Sequence, residues 1–222
     1  MDAAELLKRY AQGDRNFSQC HLSDLRLLEV NLSGIGLEQS ILKAANLCTS
    51  NLRNAKLDEA QLVGAALWRT DLSHAQLVRT NLSQALLIRA ILKSANLYQS
   101  RLEKADLRLA NLCGADLSEA DLVGADLRYA DLRGATLVRT NLSKANLTGA
   151  NLQGAKLHHA ILAETTLFRA NLSSTDFSHA RIRDSDFRKA ILTDTTLTAS
   201  LLSSCPRSIH TAKGLFTAYS HR

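Results

Sequence analysis

The sequence predicts an all-β solenoid: five-residue units wound four to a coil, with a short helix closing the N-terminal end. Three observations predict it. Leucine recurs at every fifth residue, proline is missing from that run, and glycine keeps to one place in the repeat. From Phe17 to Leu202 there are 38 such positions, all Leu except Phe17, Phe177, Ile182 and Phe187. We call this position the centre. Two residues before it the chain is small, as at Ala45, Ala55 and Thr70, and one residue before it 19 of the 38 positions are Asn or Asp.

A period of five fits neither common element. An α-helix advances 100° per residue, so a five-residue repeat would smear leucine around the cylinder. A strand alternates at two, so successive leucines would face opposite sides. Five residues can instead form one extended side and one corner. Four units then close a square coil of 20 residues, and stacked coils pair their backbones at about 4.8 Å. Each backbone N–H is needed by that ladder, which accounts for the lack of proline between residues 17 and 205. Seven of the ten glycines (34, 64, 114, 124, 134, 149 and 154) lie two residues after a centre, where a type II corner needs positive φ. With 38 repeats at four per coil, the rod should hold nine to ten coils and be roughly 45 Å long.

The ends must be covered, because an open coil exposes unpaired backbone and apolar core. Residues 3–12 read as an amphipathic helix with Leu6, Leu7 and Tyr10 on one face. The larger Cys20, Leu25, Val30 and Ile35 replace alanine in the first coil, beneath that helix. The organisation expected is a helical cap at 1–14, a repeat domain at 15–204 and a tail at 205–222. That tail leaves the register at Pro206, and its Leu215, Phe216 and Tyr219 are placed to cover the far end or to form a dimer contact.

The repeat resembles that of the pentapeptide-repeat proteins, and the resemblance spans roughly residues 15 to 204. It implies a right-handed quadrilateral β-helix. The segment from Leu7 to Phe17 (LKRYAQGDRNF) is similar to the N-terminal cap of cyanobacterial members, including the one implicated in control of heterocyst differentiation. A protein-interaction role, as a signalling or differentiation regulator, follows from that likeness. A second role it implies is the DNA mimicry by which quinolone-resistance members occupy a type II topoisomerase.

Catalytic chemistry finds no support. There is no nucleophile beside a base, no glycine-rich phosphate loop and no paired carboxylates in a pocket. An interior filled by Leu and Ala leaves no cavity for a substrate or cofactor. Cys20, Cys48, Cys113 and Cys205 lack metal-finger spacing and read as free thiols of a cytoplasmic protein. Cys48 and Cys113 should be exposed on different faces. His158, His159 and His179 cluster on one face, but no carboxylate or thiolate in register completes a metal set. No apolar run is long enough for a signal peptide or a membrane span.

Residues 20 apart stack, so the four outer faces can be read directly. The face whose centres run Leu27, Leu47, Leu67 to Phe187 carries eight cations, among them Arg69, Arg89, Arg108, Arg128 and Arg169. Against them stand four acids, for a net of +4. It also carries Trp68, Ile88, Leu109, Tyr129 and Phe168. Aromatics with arginine are the usual anchors of protein interfaces. Trp68, Arg69, Arg89, Arg108, Arg128, Tyr129, Phe168 and Arg169 are therefore the candidate partner surface. The plainer account is that arginines scatter outward for solubility. A nucleic-acid surface would want a denser basic patch. DNA mimicry would need an acidic rod, whereas the chain is net +6 and its one acidic face, centred on Leu37 and Leu57, is only −2.

Overall fold

A computed structural model describes residues 1–196 and Ala212. From Asn16 to Thr196 the backbone pairs in parallel with itself at a constant offset of 20 residues: Asn16 with Gly36, Gly36 with Lys56, and so on to Asp176 with Thr196. That run makes nine coils, since 180 residues divide by 20. Two neighbouring coils pair over three residues, β1 (Ile161–Ala163) on β2 (Arg181–Arg183), again offset by 20. Elsewhere each side contributes one bridging residue. Leu197, Leu202 and the tail at 205–222, with its expected cap or dimer contact, lie outside the described residues except for Ala212, which packs against the core.

The pentad Ala45–Thr49 shows how the ladder is satisfied. Asn46 N–H donates to Leu25 O in the coil before (2.8 Å), while Leu47 and Thr49 N–H donate to Ala66 and Trp68 O in the coil after (both 2.8 Å). Ala45 N–H closes the preceding turn on Leu42 O (3.1 Å). The fifth, Cys48 N–H, donates to the side chain of Asn46 (Oδ1, 3.2 Å). This last bond explains the Asn/Asp signal. All 19 Asn or Asp residues before a centre accept from the N–H just after it, from Asn16 to Asp186. A buried or half-buried N–H left without a partner costs about 1–3 kcal/mol, and a short Asx side chain reaches its own backbone two residues on. Gln76 is too long for that bond, and there Asp58 of the coil before accepts from Val78 N–H instead (2.8 Å).

The corners carry more strain than the glycine count suggests. The residue two after the centre has positive φ at all 36 described corners, 29 of them non-glycine and seven glycine. The residue before it does not, and at most corners the following N–H bonds back to the centre carbonyl, which makes them type II turns. Glycine is the easy solution here. The ladder imposes the same geometry on Arg69, Leu109 and even the β-branched Thr49 (φ 56°), at about 1–2 kcal/mol each.

Inside, the centres from Phe17 to Phe187 are all buried, and each buried Leu contributes about 1.5–3 kcal/mol. Alanines fill the small position. Where Thr stands there, its hydroxyl donates to a centre carbonyl of the coil before, as Thr70 does to Leu47 O (2.8 Å) and Thr140 to Leu117 O (2.7 Å). Near the far end Phe177 and Phe187 approach from opposite sides and meet edge to face at 6.4 Å.

Helix α1 (Ala3–Ala11) starts at Asp2, whose carboxylate accepts from Glu5 N–H (2.8 Å). It buries Leu6 completely and packs Leu7 and Tyr10 on the first coil, beside Cys20, Leu25 and Val30. Tyr10 Oη donates to Ser33 O (2.7 Å), and Arg9 pairs with Asp14 (2.5 Å), fixing the entry of the chain into the first coil.

Two outcomes follow. Asn146→Ala, which frees the half-buried Thr148 N–H, should lower the unfolding free energy by about 1–2 kcal/mol in chemical denaturation. Lys156→Ala, two repeats on and without that bond, should change it little. Thr49→Gly should raise stability by roughly 0.5–1 kcal/mol, since glycine relieves the αL strain and gives back part of it as unfolded-chain entropy.

Candidate interaction face

The unbroken register stacks Trp68, Ile88, Arg108 and Arg128 as a column. Their flanking residues bridge in succession, Ala66 with Leu86, Leu86 with Asp106 and Asp106 with Asp126. Five of the seven exposed large hydrophobics among the described residues, Leu28, Trp68, Leu86, Leu109 and Tyr129, lie on this one face; Ile91 and Ile191 are on the face centred on Leu32. Leu28 and Leu86 escaped the sequence reading, although apolar residues at outward positions were the available signal. Trp68, at 40 % exposed, is less open than Leu86 (48 %), Leu109 (47 %) or Tyr129 (62 %), so the apolar centre of the face lies further along the rod than tryptophan alone suggests. Ile88 and Phe168 are half-buried.

The cations fall into two groups. Arg108, Arg128 and Arg188 each fold back on the Asp two residues earlier, Asp106, Asp126 and Asp186, at 2.6, 2.7 and 2.8 Å. The Arg188 bond holds the Asp186 carboxyl below the ordinary carboxylate range. This corrects the equal weight given to all eight cations, because Asp before a centre and Arg after it are within reach of each other in every repeat. Of the other five cations Arg26 stands in the first coil, and four lie along one edge, the column of turn residues Glu29, Thr49, Arg69, Arg89, Leu109, Tyr129, Gly149, Arg169 and Lys189. In the third coil the Arg69 guanidinium lies 4.8 Å over the Trp68 ring, and at the far end Arg169 and Lys189 flank Phe168 at 5.2 and 5.7 Å. Between them the Tyr129 ring lies against Gly149 so closely that a Cβ there would meet its edge at 2.6 Å.

The acidic face has a different character. Along its turn column Gln19 donates to Gln39 (2.8 Å) and Gln39 to Glu59 (3.0 Å), and Arg79 lies 3.6 Å from Glu59. Arg79 then donates to Gln99 (3.1 Å), Gln99 donates to Glu119 (2.8 Å), and Arg139 lies 3.6 Å from Glu119. Its carboxylates are thus engaged within the rod, unlike the free phosphates a DNA mimic must imitate. The column ends in the stacked rings of His159 and His179, 5.0 Å apart, and, against the expectation of no carboxylate in register, Asp176 of the same face lies 3.6 Å from His158 Nδ1. Among the described residues no group of three or more His, Cys, Asp or Glu could hold a metal ion, and no helix is long and apolar enough to cross a membrane. Cys48 and Cys113 lie on different faces as expected but are half-buried rather than exposed. The packed interior has an outer counterpart, a shallow open depression of about 260 Å³ at the first two coils lined by Arg15, Asn16, Ser18, Gly34, Glu38 and Lys56. Its Glu38 carboxylate already accepts from Ser18 Oγ (2.8 Å).

These features define a solenoid repeat protein whose chemistry is displayed on outer faces of a filled rod. Pentapeptide repeats match residues 31–69, 67–103, 90–128, 125–163 and 165–203, and the chain belongs to that family. It is similar to HetL of the cyanobacterium Nostoc sp. strain PCC 7120, a pentapeptide repeat protein involved in heterocyst differentiation regulation, at 36 % identity over 89 % of this chain and 100 % of that one, with a TM-score of 0.42. A second Nostoc pentapeptide repeat protein, alr5209, is 36 % identical over 52 % of this chain and 80 % of its own, with a TM-score of 0.27. A trypsin-treated variant of QnrB1, a plasmid-mediated fluoroquinolone resistance protein, shares the fold, with a TM-score of 0.52 at 16 % identity over 86 % of this chain and 99 % of that one. No curated protein matches the chain.

Burial, followed by the charge of His179, lowers the His159 pKa from its ordinary value near 6.5. A folded state with a lowered histidine pKa binds fewer protons than the unfolded chain, so stability should fall as pH drops below about 6.5. In an NMR titration the His159 ring should show a depressed midpoint, and His179→Ala should raise it.

Proposed function

We propose that the protein is a non-catalytic, rigid scaffold, a right-handed quadrilateral β-helix that binds a protein partner through the face bearing Trp68, Arg69, Arg89, Tyr129, Phe168 and Arg169. One observation carries this reading. Five exposed large hydrophobics share a single face with cations that have no acidic partner among the described residues, whereas monomeric proteins seldom gather apolar surface without a use for it. Arginine with aromatics at the centre of a face is the composition of interface hot spots. Arg108 and Arg128 belong to this surface as internally neutralised members that shape it and add little charge.

A ladder-bound backbone moves little on binding, so losses should fall on side chains of this face. With a partner captured by crosslinking in native extract, Trp68→Ala with Arg89→Glu should weaken binding by at least about 2 kcal/mol, the scale of a hot-spot loss. Circular dichroism should stay unchanged. Arg53→Glu with Lys93→Glu, on the face centred on Leu32, should have little effect. Equal losses from both pairs would reduce the interaction to general electrostatics.

A further inference from the structure

The division of the arginines specifies what kind of partner this face accepts. The inference rests on the reading of the face as an interface and adds the chemistry of the occupant. The turn column reads Glu29, Thr49, Arg69, Arg89, Leu109, Tyr129, Gly149, Arg169, Lys189, one residue per coil. Beyond Glu29 and Thr49 it holds two cationic groups, each built on an aromatic ring, Arg69 over Trp68 and Arg169 with Lys189 around Phe168. Trp68 and Phe168 are five coils apart, about 24 Å at the spacing of paired strands. Between Trp68 and Phe168 the exposed groups are Leu86, Arg89, Leu109 and Tyr129; Arg89 extends the first cationic group by one coil, and the other cations of the stretch, Arg108 and Arg128, are held by Asp106 and Asp126. Past Arg89 the middle is thus apolar and electrically balanced, and the uncompensated cations flank it.

We infer that the face binds a protein segment with two groups of carboxylates about 24 Å apart and an apolar stretch between them. Charge complementarity selects the ends. A carboxylate meeting a guanidinium that has no acidic partner among the described residues gains a charge-assisted bond without breaking one. Leu86 and Leu109 select the middle, since aliphatic side chains gain by covering apolar surface and offer nothing to a phosphate or a sugar. The same two leucines argue against a nucleic acid, whose even row of phosphates would lie over this uncharged stretch. About sixteen residues of helix or seven of strand span the distance, at about 1.5 and 3.4 Å per residue.

The test is a selection of a random 20-residue peptide display library on the immobilised full chain, followed by fluorescence anisotropy of the enriched peptides and of a 20-nucleotide single-stranded DNA. Enriched peptides should carry Asp or Glu on both sides of an apolar run. Their binding should weaken at least tenfold with Arg69→Glu/Arg169→Glu and with Leu109→Ser/Tyr129→Ser, and less than threefold with Arg108→Gln. The absence of enriched peptides, or enrichment of basic or uniformly acidic ones, would overturn the proposal. So would DNA binding tighter than the peptides and lost in the same arginine variants. Peptides of the wrong chemistry that still lose binding to Trp68→Ala/Arg89→Glu would leave the face as an interface and remove only this partner chemistry. Peptides indifferent to that pair would remove both.

Discussion

Backbone pairing at a fixed offset of 20 residues is the constraint from which the other features descend. Because each coil takes its hydrogen bonds from the coils before and after, no side can lengthen or slip without breaking bonds on both of its neighbours. Leucine at every fifth position is the packing consequence, since a square of this size admits one large side chain per side. A single ladder also explains why 29 non-glycine residues accept positive φ. Refusing the turn would forfeit the inter-coil bonds on either side of it, at more than the roughly 1–2 kcal/mol that αL backbone costs.

The same accounting gives the Asn and Asp residues their role. Four of five N–H groups in the pentad Ala45–Thr49 go to backbone carbonyls, and the side chain before the centre takes the fifth. The preference is local and chemical, and it lapses where another acceptor is supplied, as Asp58 does for Val78. Where the residue before the centre is Asp, a second consequence appears. Its carboxylate can take a backbone N–H and an arginine together, as Asp106, Asp126, Asp131 and Asp186 all do. A residue chosen for the turn thereby removes charge from the surface.

With the backbone fully committed and the interior filled, what distinguishes one such rod from another is the sequence of its outward columns. Here the columns differ in kind. The acidic face spends its polar groups on one another, forming a ladder from Gln19 to Arg139 that stiffens an edge and leaves few free carboxylates. The opposite face keeps its leucines, its tyrosine and the cations of its turn column outward. A surface that satisfies itself and a surface that does not, back to back on one rod, favour the second as the place of interaction.

Much of this was legible without coordinates. The period of five, the lack of proline and the unbroken spacing of the centres determined the coil, its register and the membership of each face, because a constant offset converts sequence position directly into height and side. The N-terminal helix was legible from Leu6, Leu7 and Tyr10. What only the tertiary structure decided was which outward groups remain available. Whether Arg108 faces a partner or Asp106, and whether Trp68 or Tyr129 stands further into solvent, depends on side-chain reach across two residues or one coil. A repeat pattern sets that distance for all columns alike, and rotamer and neighbour then settle it separately at each position.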